Sequence, residues 1–193
     1  MKLLRHFLLL LLGGFFLSFS AVAQNTVTVS GHIHGGWEDM MVSAEVFTPQ
    51  DTVTLFSICD QQGYYEISVP VGANVIVRPS GSSLPLNGVT TYDVVLLTRH
   101  YLNAELLDSP YKIIAADANN DGVLSVADSL EFRKLILGIY SELPNNDSWR
   151  FVRLDYVFPD PFNPFPFPEI ATLANVTDPV GNLDFVAIKI GDL

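Results

Sequence analysis

Asp117, Asn119, Asp121, Ser125 and Asp128 occupy the first, third, fifth, ninth and twelfth places of the segment Asp117-Ala-Asn-Asn-Asp-Gly-Val-Leu-Ser-Val-Ala-Asp128, and each side chain carries oxygen. Ca²⁺ is a hard cation that takes about six to eight oxygens, and a loop whose alternate side chains turn inward can supply them. Gly122 holds the sixth place, where such a loop turns sharply. The carbonyl of Val123 is the expected seventh-place ligand, and Leu124 at the eighth faces the core. The predicted ligand set is therefore Asp117, Asn119, Asp121, Val123, Ser125 and Asp128 around one Ca²⁺. An Asx-rich turn ahead of a helix would use similar residues, but it has no need of oxygens at alternate places along the whole loop.

The loop opens a helix, and the arrangement occurs twice. Asn87-Gly-Val-Thr-Thr-Tyr-Asp93 aligns with Gly122-Val-Leu-Ser-Val-Ala-Asp128, so that Thr90 matches Ser125, Asp93 matches Asp128 and Leu102 matches Leu137. Thr90 with Asp93, and Ser125 with Asp128, have the Ser/Thr-x-x-acid spacing of a helix N-terminus. Apolar residues follow at helical intervals: Val94, Val95, Leu97, Tyr101 and Leu102, then Leu130, Phe132, Leu135, Ile136 and Leu137. Neither helix can bury such a face alone, so the pair is expected to pack together.

A calcium loop running straight into a helix, duplicated and closed by Leu137-Gly138, resembles a dockerin module over about residues 82 to 143. Two features depart from an ordinary EF-hand. Asp128 stands where a bidentate Glu is usual, and Lys112-Ile-Ile-Ala-Ala116, short and preceded by Ser109-Pro110, predicts no helix ahead of the loop. In the first repeat Ser82, Leu84 and Leu86 replace the acidic ligands, so that loop is expected to be metal-free, with Leu84 and Leu86 turned inward. The resemblance implies docking to a cohesin-type partner in extracellular polysaccharide degradation. Its partner-facing positions map to Thr91, Tyr92, Thr98 and Arg99, and to Val126, Ala127, Arg133 and Lys134. The differing helix starts, Thr91-Tyr92 and Val126-Ala127, predict at most one binding face. Arg99, Arg133 and Lys134 would equally serve as the solvated face of an ordinary helix.

Lys2 and Arg5 precede an apolar run from Phe7 to Phe19, and Ala21-Val-Ala23 offers the small residues of a cleavage site. This is a predicted signal peptide with Gln24 as the mature N-terminus, which implies a secreted, extracellular or cell-surface protein with no membrane span after cleavage. Cleavage removes Lys2 and Arg5 and no acid, leaving eight basic side chains against 21 acidic ones, a net charge of −13. Such an acidic chain argues against nucleic-acid binding.

Short alternating runs follow, around Val27–Ile33, Val42–Val46, Leu55, Tyr65–Val69 and Val75–Val77, and they predict a β-sandwich. The run Asp60-Gln-Gln-Gly-Tyr-Tyr-Glu-Ile-Ser-Val-Pro70 resembles the carboxypeptidase-regulatory-like, or transthyretin-like, sandwich, which implies a spacer or surface module without catalytic residues. Cys59, the single cysteine, sits in an apolar run as a small hydrophobe. His32 and His34 share one face of a strand, as two metal ligands or two solvent-facing polar residues would; Glu38 and Asp39 are near them in sequence. In the C-terminal segment, strands are expected at Ser148–Val152 and Asp184–Ile190, pairing with each other. The Pro- and Phe-rich stretch from Phe158 to Pro168 reads as an apolar strap, an aromatic sugar-binding platform being the alternative.

The predicted fold class is α+β and multidomain: a signal peptide over 1–23, a β-sandwich over 24–79, a dockerin-like pair of calcium-loop-plus-helix repeats over 80–144, and a strand-rich tail over 145–193 packing on that pair. The sequence contains no Gly-x-Ser-x-Gly, His-Glu-x-x-His or phosphate-binding loop, and a non-catalytic protein is expected. The functional expectation is calcium-supported docking to a protein. A structural or adhesive surface module and a carbohydrate binder, sensitive to changes at Trp37, Tyr64 or Trp149, are the alternatives.

Overall fold

The computed structural model describes residues 25–35, 39–82 and 84–193. The expected signal peptide over 1–23, with Lys2 and Arg5, lies outside the described residues, as do Gln24, Trp37 and Glu38.

All five predicted N-terminal strands form: β1 (Thr26–His34), β2 (Met41–Phe47), β3 (Thr52–Ile58), β4 (Tyr64–Pro70) and β5 (Ala73–Ser80). Their period-2 patterns turn Val29, Val42, Val46, Tyr65, Val69, Val75 and Val77 into one core. Three helices follow, α1 (Thr91–Tyr101), α2 (Pro110–Ala116) and α3 (Val126–Ile136), and then strands β6 (Trp149–Arg153), β7 (Ala171–Val176) and β8 (Phe185–Lys189).

The strands build two four-stranded sheets, ordered β4-β1-β8-β6 and β3-β2-β5-β7. The C-terminal strands are thus integral to both sheets, which corrects the expectation of a sandwich confined to 24–79 with a tail resting on the helices. β8 runs parallel to β1; it pairs with β6, as expected, and does so antiparallel, while β7, which its weak alternation did not announce, pairs with β5. The reason is hydrogen bonding. Without β8 and β7, strands β1 and β5 would each leave a row of N–H and C=O groups unpaired beside an apolar core. Phe151 and Phe185 accordingly lie in the sandwich core. The close approach of β1 to the segment before β8 also demands Gly31, since a Cβ there would lie 2.3 Å from the Leu183 carbonyl oxygen.

The helices sit between β5 and β6 in sequence and pack on the outer face of the first sheet. Val94 and Leu97 of α1 meet Phe132 and Leu135 of α3 in a second core, and Ile114 and Ala115 of α2 pack on Val152 and Ile188 of the sheet. Helix α2 corrects the expectation that nothing helical precedes the loop. Ser109 caps it, accepting from the Tyr111 amide at 3.3 Å, and Pro110 takes the first position, where its missing N–H costs nothing. At seven residues it is too short to show a period, and its buried Ile113–Ala116 run stabilises it by tertiary packing.

Two further expectations are corrected. Leu84 and Leu86 are exposed rather than turned inward. The first repeat's loop is held instead by buried Val89 and by Lys189, whose Nζ donates to the Pro85 carbonyl at 3.0 Å. Within the apolar runs of the helices, Val95, Leu102, Leu130 and Leu137 face outward. The Pro- and Phe-rich stretch does pack as a strap: Phe158, Phe165 and Phe167 join the cluster around α2, with Phe158 edge-on to Tyr111 at 5.7 Å.

The last residues weld these parts together. Gly191 donates its amide to Ala115 of α2 at 2.8 Å, and Leu193 donates to Asp93 at 2.9 Å. Gly191 has φ +91°, and a Cβ there would meet Phe132 and Val89 at 2.8 Å. Left-handed strain of about 1–2 kcal/mol with overpacking of about 1–3 kcal/mol gives an expected loss of about 3 kcal/mol for Gly191→Ala, readable in urea denaturation; a loss under about 1 kcal/mol would contradict this packing. Burial of Lys189 lowers its pKa to about 8. Between pH 8 and the ordinary 10.5 the unfolded chain holds a proton that the folded chain has released, so stability rises with pH through that window. The urea midpoint is expected to climb from pH 8 to 9.5, and to stay flatter in Lys189→Met.

Candidate calcium-binding loop

Both predicted capping devices are present, and the second closes the loop where α3 begins. Ser125 Oγ accepts from the Ala127 amide at 3.1 Å, while Asp128 Oδ2 accepts from the Ser125 amide at 2.9 Å; Thr90 and Asp93 repeat the pattern at α1. With α2 ending at Ala116 and α3 beginning at Val126, the loop residues Asp117 to Ser125 are clamped between two helices.

Asp117 and Asp128 lie 1% and 0% exposed. Asp117 accepts from the amides of Asp121 (3.1 Å) and Gly122 (3.0 Å), and Asp128 from that of Asn119 (3.3 Å). Asn119 Oδ1 accepts from the Asp121 amide at 3.1 Å, and Asp121 Oδ1 from the Val123 amide at 2.9 Å. Gly122 has φ +77°, which the sharp turn at the sixth place requires. The side-chain oxygens of Asp117, Asn119, Asp121, Ser125 and Asp128 thus belong to one continuous hydrogen-bonded loop. Burial, opposed by backbone N–H bonds and reinforced by neighbouring loop carboxylates, raises the pKa of both Asp117 and Asp128.

Among the described residues, Asp117, Asp121 and Asp128 have no salt-bridge partner. Two deeply buried carboxylates beside a third, with no salt bridge to any of them, are costly unless something supplies positive charge. An all-oxygen donor set of this kind fits a hard divalent cation. Among the described residues no group of three or more His, Cys, Asp or Glu side chains is gathered as a metal centre; here the carboxylates are turned onto the loop's own N–H groups.

The predicted partner-facing residues are dispersed in role. Thr91, Tyr92, Arg99 and Arg133 are exposed. Arg99 pairs with Glu105 at 2.7 Å, and Lys134 bonds Glu131 at 2.8 Å and the Tyr140 hydroxyl at 3.2 Å. Val126, expected to face a partner, is exposed; what the sequence reading missed is that Val95 of α1, Leu130 of α3 and the C-cap residues Leu102 and Leu137 are exposed as well, Leu137 at 74%. Val95 matches Leu130 and Leu102 matches Leu137 in the repeat alignment, a regularity that could have flagged them.

Elsewhere, Asp184 lies between His32 and His34, at 3.7 Å and 3.3 Å from their ring nitrogens, and accepts from the His32 amide at 2.8 Å. Burial alone would raise the Asp184 pKa, but the His32 amide and His34 outweigh it and hold it low. Cys59 is partly buried, and desolvation pushes its thiol up to about 11. Trp149 is a core residue donating to the Ser82 carbonyl at 3.2 Å. No described helix is long and apolar enough to cross a membrane. Compared with known proteins, the chain matches no family model, no curated protein and no solved structure.

Proposed function

We propose that this chain is a secreted, non-catalytic module whose loop from Asp117 to Asp128 binds one Ca²⁺ and whose helical pair docks to a protein partner. The observation that carries the reading is the pair of buried carboxylates, Asp117 and Asp128, neither of which has a salt-bridge partner among the described residues. Asp117, Asn119, Asp121, Ser125, Asp128 and the Val123 carbonyl would hold the ion. Bound there, calcium supplies positive charge that makes loop and helix one rigid unit, because binding that exists only in the folded state is folding energy.

The outward apolar side chains support docking. Exposed large aliphatic side chains on two packed helices, with exposed Tyr92, Arg99 and Arg133 on the same helices, are the mixture of apolar and charged groups that a protein interface uses. By resemblance the partner is cohesin-like and belongs to extracellular polysaccharide degradation. The chain from Gln24 would be presented to a panel of cohesin modules, with calcium or with chelator. Calcium-dependent capture, weakened at least tenfold by Leu130→Ser with Leu137→Ser, is the expected result. Calcium binding without any capture would favour the second reading, a surface or adhesive module that calcium only stiffens; the welded junction of sheet and helices supports that alternative.

A further inference from the structure

The calcium loop is braced from behind by the C-terminal segment. Asn146 Nδ2 donates to the carbonyl of Asp117 at 2.6 Å, and Arg150 Nη1 donates to Asn120 Oδ1 at 2.6 Å. Asp117 and Asn120 are the first and fourth places of the loop. Arg150 has little freedom, since its Nε and Nη2 grip both oxygens of Glu169 at 2.7 Å and its guanidinium lies 5.0 Å over the Phe167 ring. A planar fork held along one edge and over one face presents its Nη1 N–H groups in a set direction. The Asn146 side chain is likewise committed: its Oδ1 is buried with no partner, so its orientation is set by the bond to Asp117. Arg150 stands on β6, whose next residue, Phe151, is buried in the sandwich core. Loop and sandwich are therefore joined through one strand.

We propose that Asn146 and Arg150 are positioning residues for the calcium loop, so that the ion's affinity and the rigidity of the β6-β8 edge of the sandwich are coupled; this rests on the calcium reading above. Asn146 fixes the backbone that aims the Asp117 carboxylate, and Arg150 fixes the turn between Asn119 and Asp121. Partners standing behind metal ligands typically contribute about 10–100-fold in affinity.

The test is calorimetric titration with calcium chloride of the chain from Gln24, beside Asn146→Leu and the charge-neutral pair Arg150→Met with Glu169→Gln. The native chain should bind one ion, and each variant should bind it about 10–100-fold more weakly. Amide hydrogen exchange on the native chain is the second arm, and it stands even if a variant fails to fold: calcium should slow exchange at β6 and β8 as well as in the loop. One ion bound by the native chain, with folded variants matching it within about twofold or with β6 exchange unchanged by calcium, overturns the coupling and leaves the calcium reading standing. No binding by the native chain overturns both.

Discussion

Calcium titration of the chain from Gln24 is expected to show one site per molecule, abolished by Asp117→Ala and accompanied by a rise in melting temperature. Asp117 is the loop's first ligand position, its carboxylate is buried, and it accepts the amides of Asp121 and Gly122. Its loss removes a charge and the anchor of the turn together. An extracellular-type site has a dissociation constant on the order of 0.1 mM. At about 10 mM Ca²⁺ such a site stabilises the folded state by about 2.7 kcal/mol, which for a chain of this size is about 5–10 °C. Two sites would mean that the loop ahead of α1, with its exposed Leu84 and Leu86, also takes metal. Absence of binding at millimolar calcium would reduce the loop to a capped turn and remove the support for docking.

Phe185→Ala is expected to cost about 4 kcal/mol, the usual scale for emptying a fully buried aromatic site. Phe185 is 0% exposed and opens β8, where it pairs with Ile33 of β1 and with Arg153 of β6. Were the C-terminal segment only a strap on the helices, the same change would leave the sandwich nearly intact. Urea denaturation followed by near-ultraviolet circular dichroism separates the cases. A single transition shifted to lower urea supports the eight-stranded core; an unshifted one, or a loss below about 1 kcal/mol, refutes it. For the same reason residues 25–80 alone are expected not to fold cooperatively, because β1 and β5 would expose edges that β8 and β7 otherwise cover.

Much of this molecule was legible along the chain. The strands β1 to β5 follow from alternation, α1 and α3 from their Thr90–Asp93 and Ser125–Asp128 caps, and the loop from oxygens at alternate places. These signals lie within a few residues of one another, and dihedral preference, side-chain period and capping act at that range. The faces of α1 and α3 were less legible. Val94 and Val95 are equally apolar, and only the neighbouring helix decides that the first is buried and the second is not.

What tertiary structure alone decided is which distant segments meet. β8 lies parallel to β1, with Asp184 reaching His32 and His34 some 150 residues away. Seven-residue α2 is stabilised by the sheet beneath it, and Arg150 and Asn146 stand behind a loop that precedes them by about thirty residues. Nothing in the period of a short strand names its partner. That choice belongs to the unpaired edges and uncovered apolar faces that remain once the local elements have formed, and here those edges brought strands from both ends of the described chain into one sandwich and set β6 beside the loop between α2 and α3.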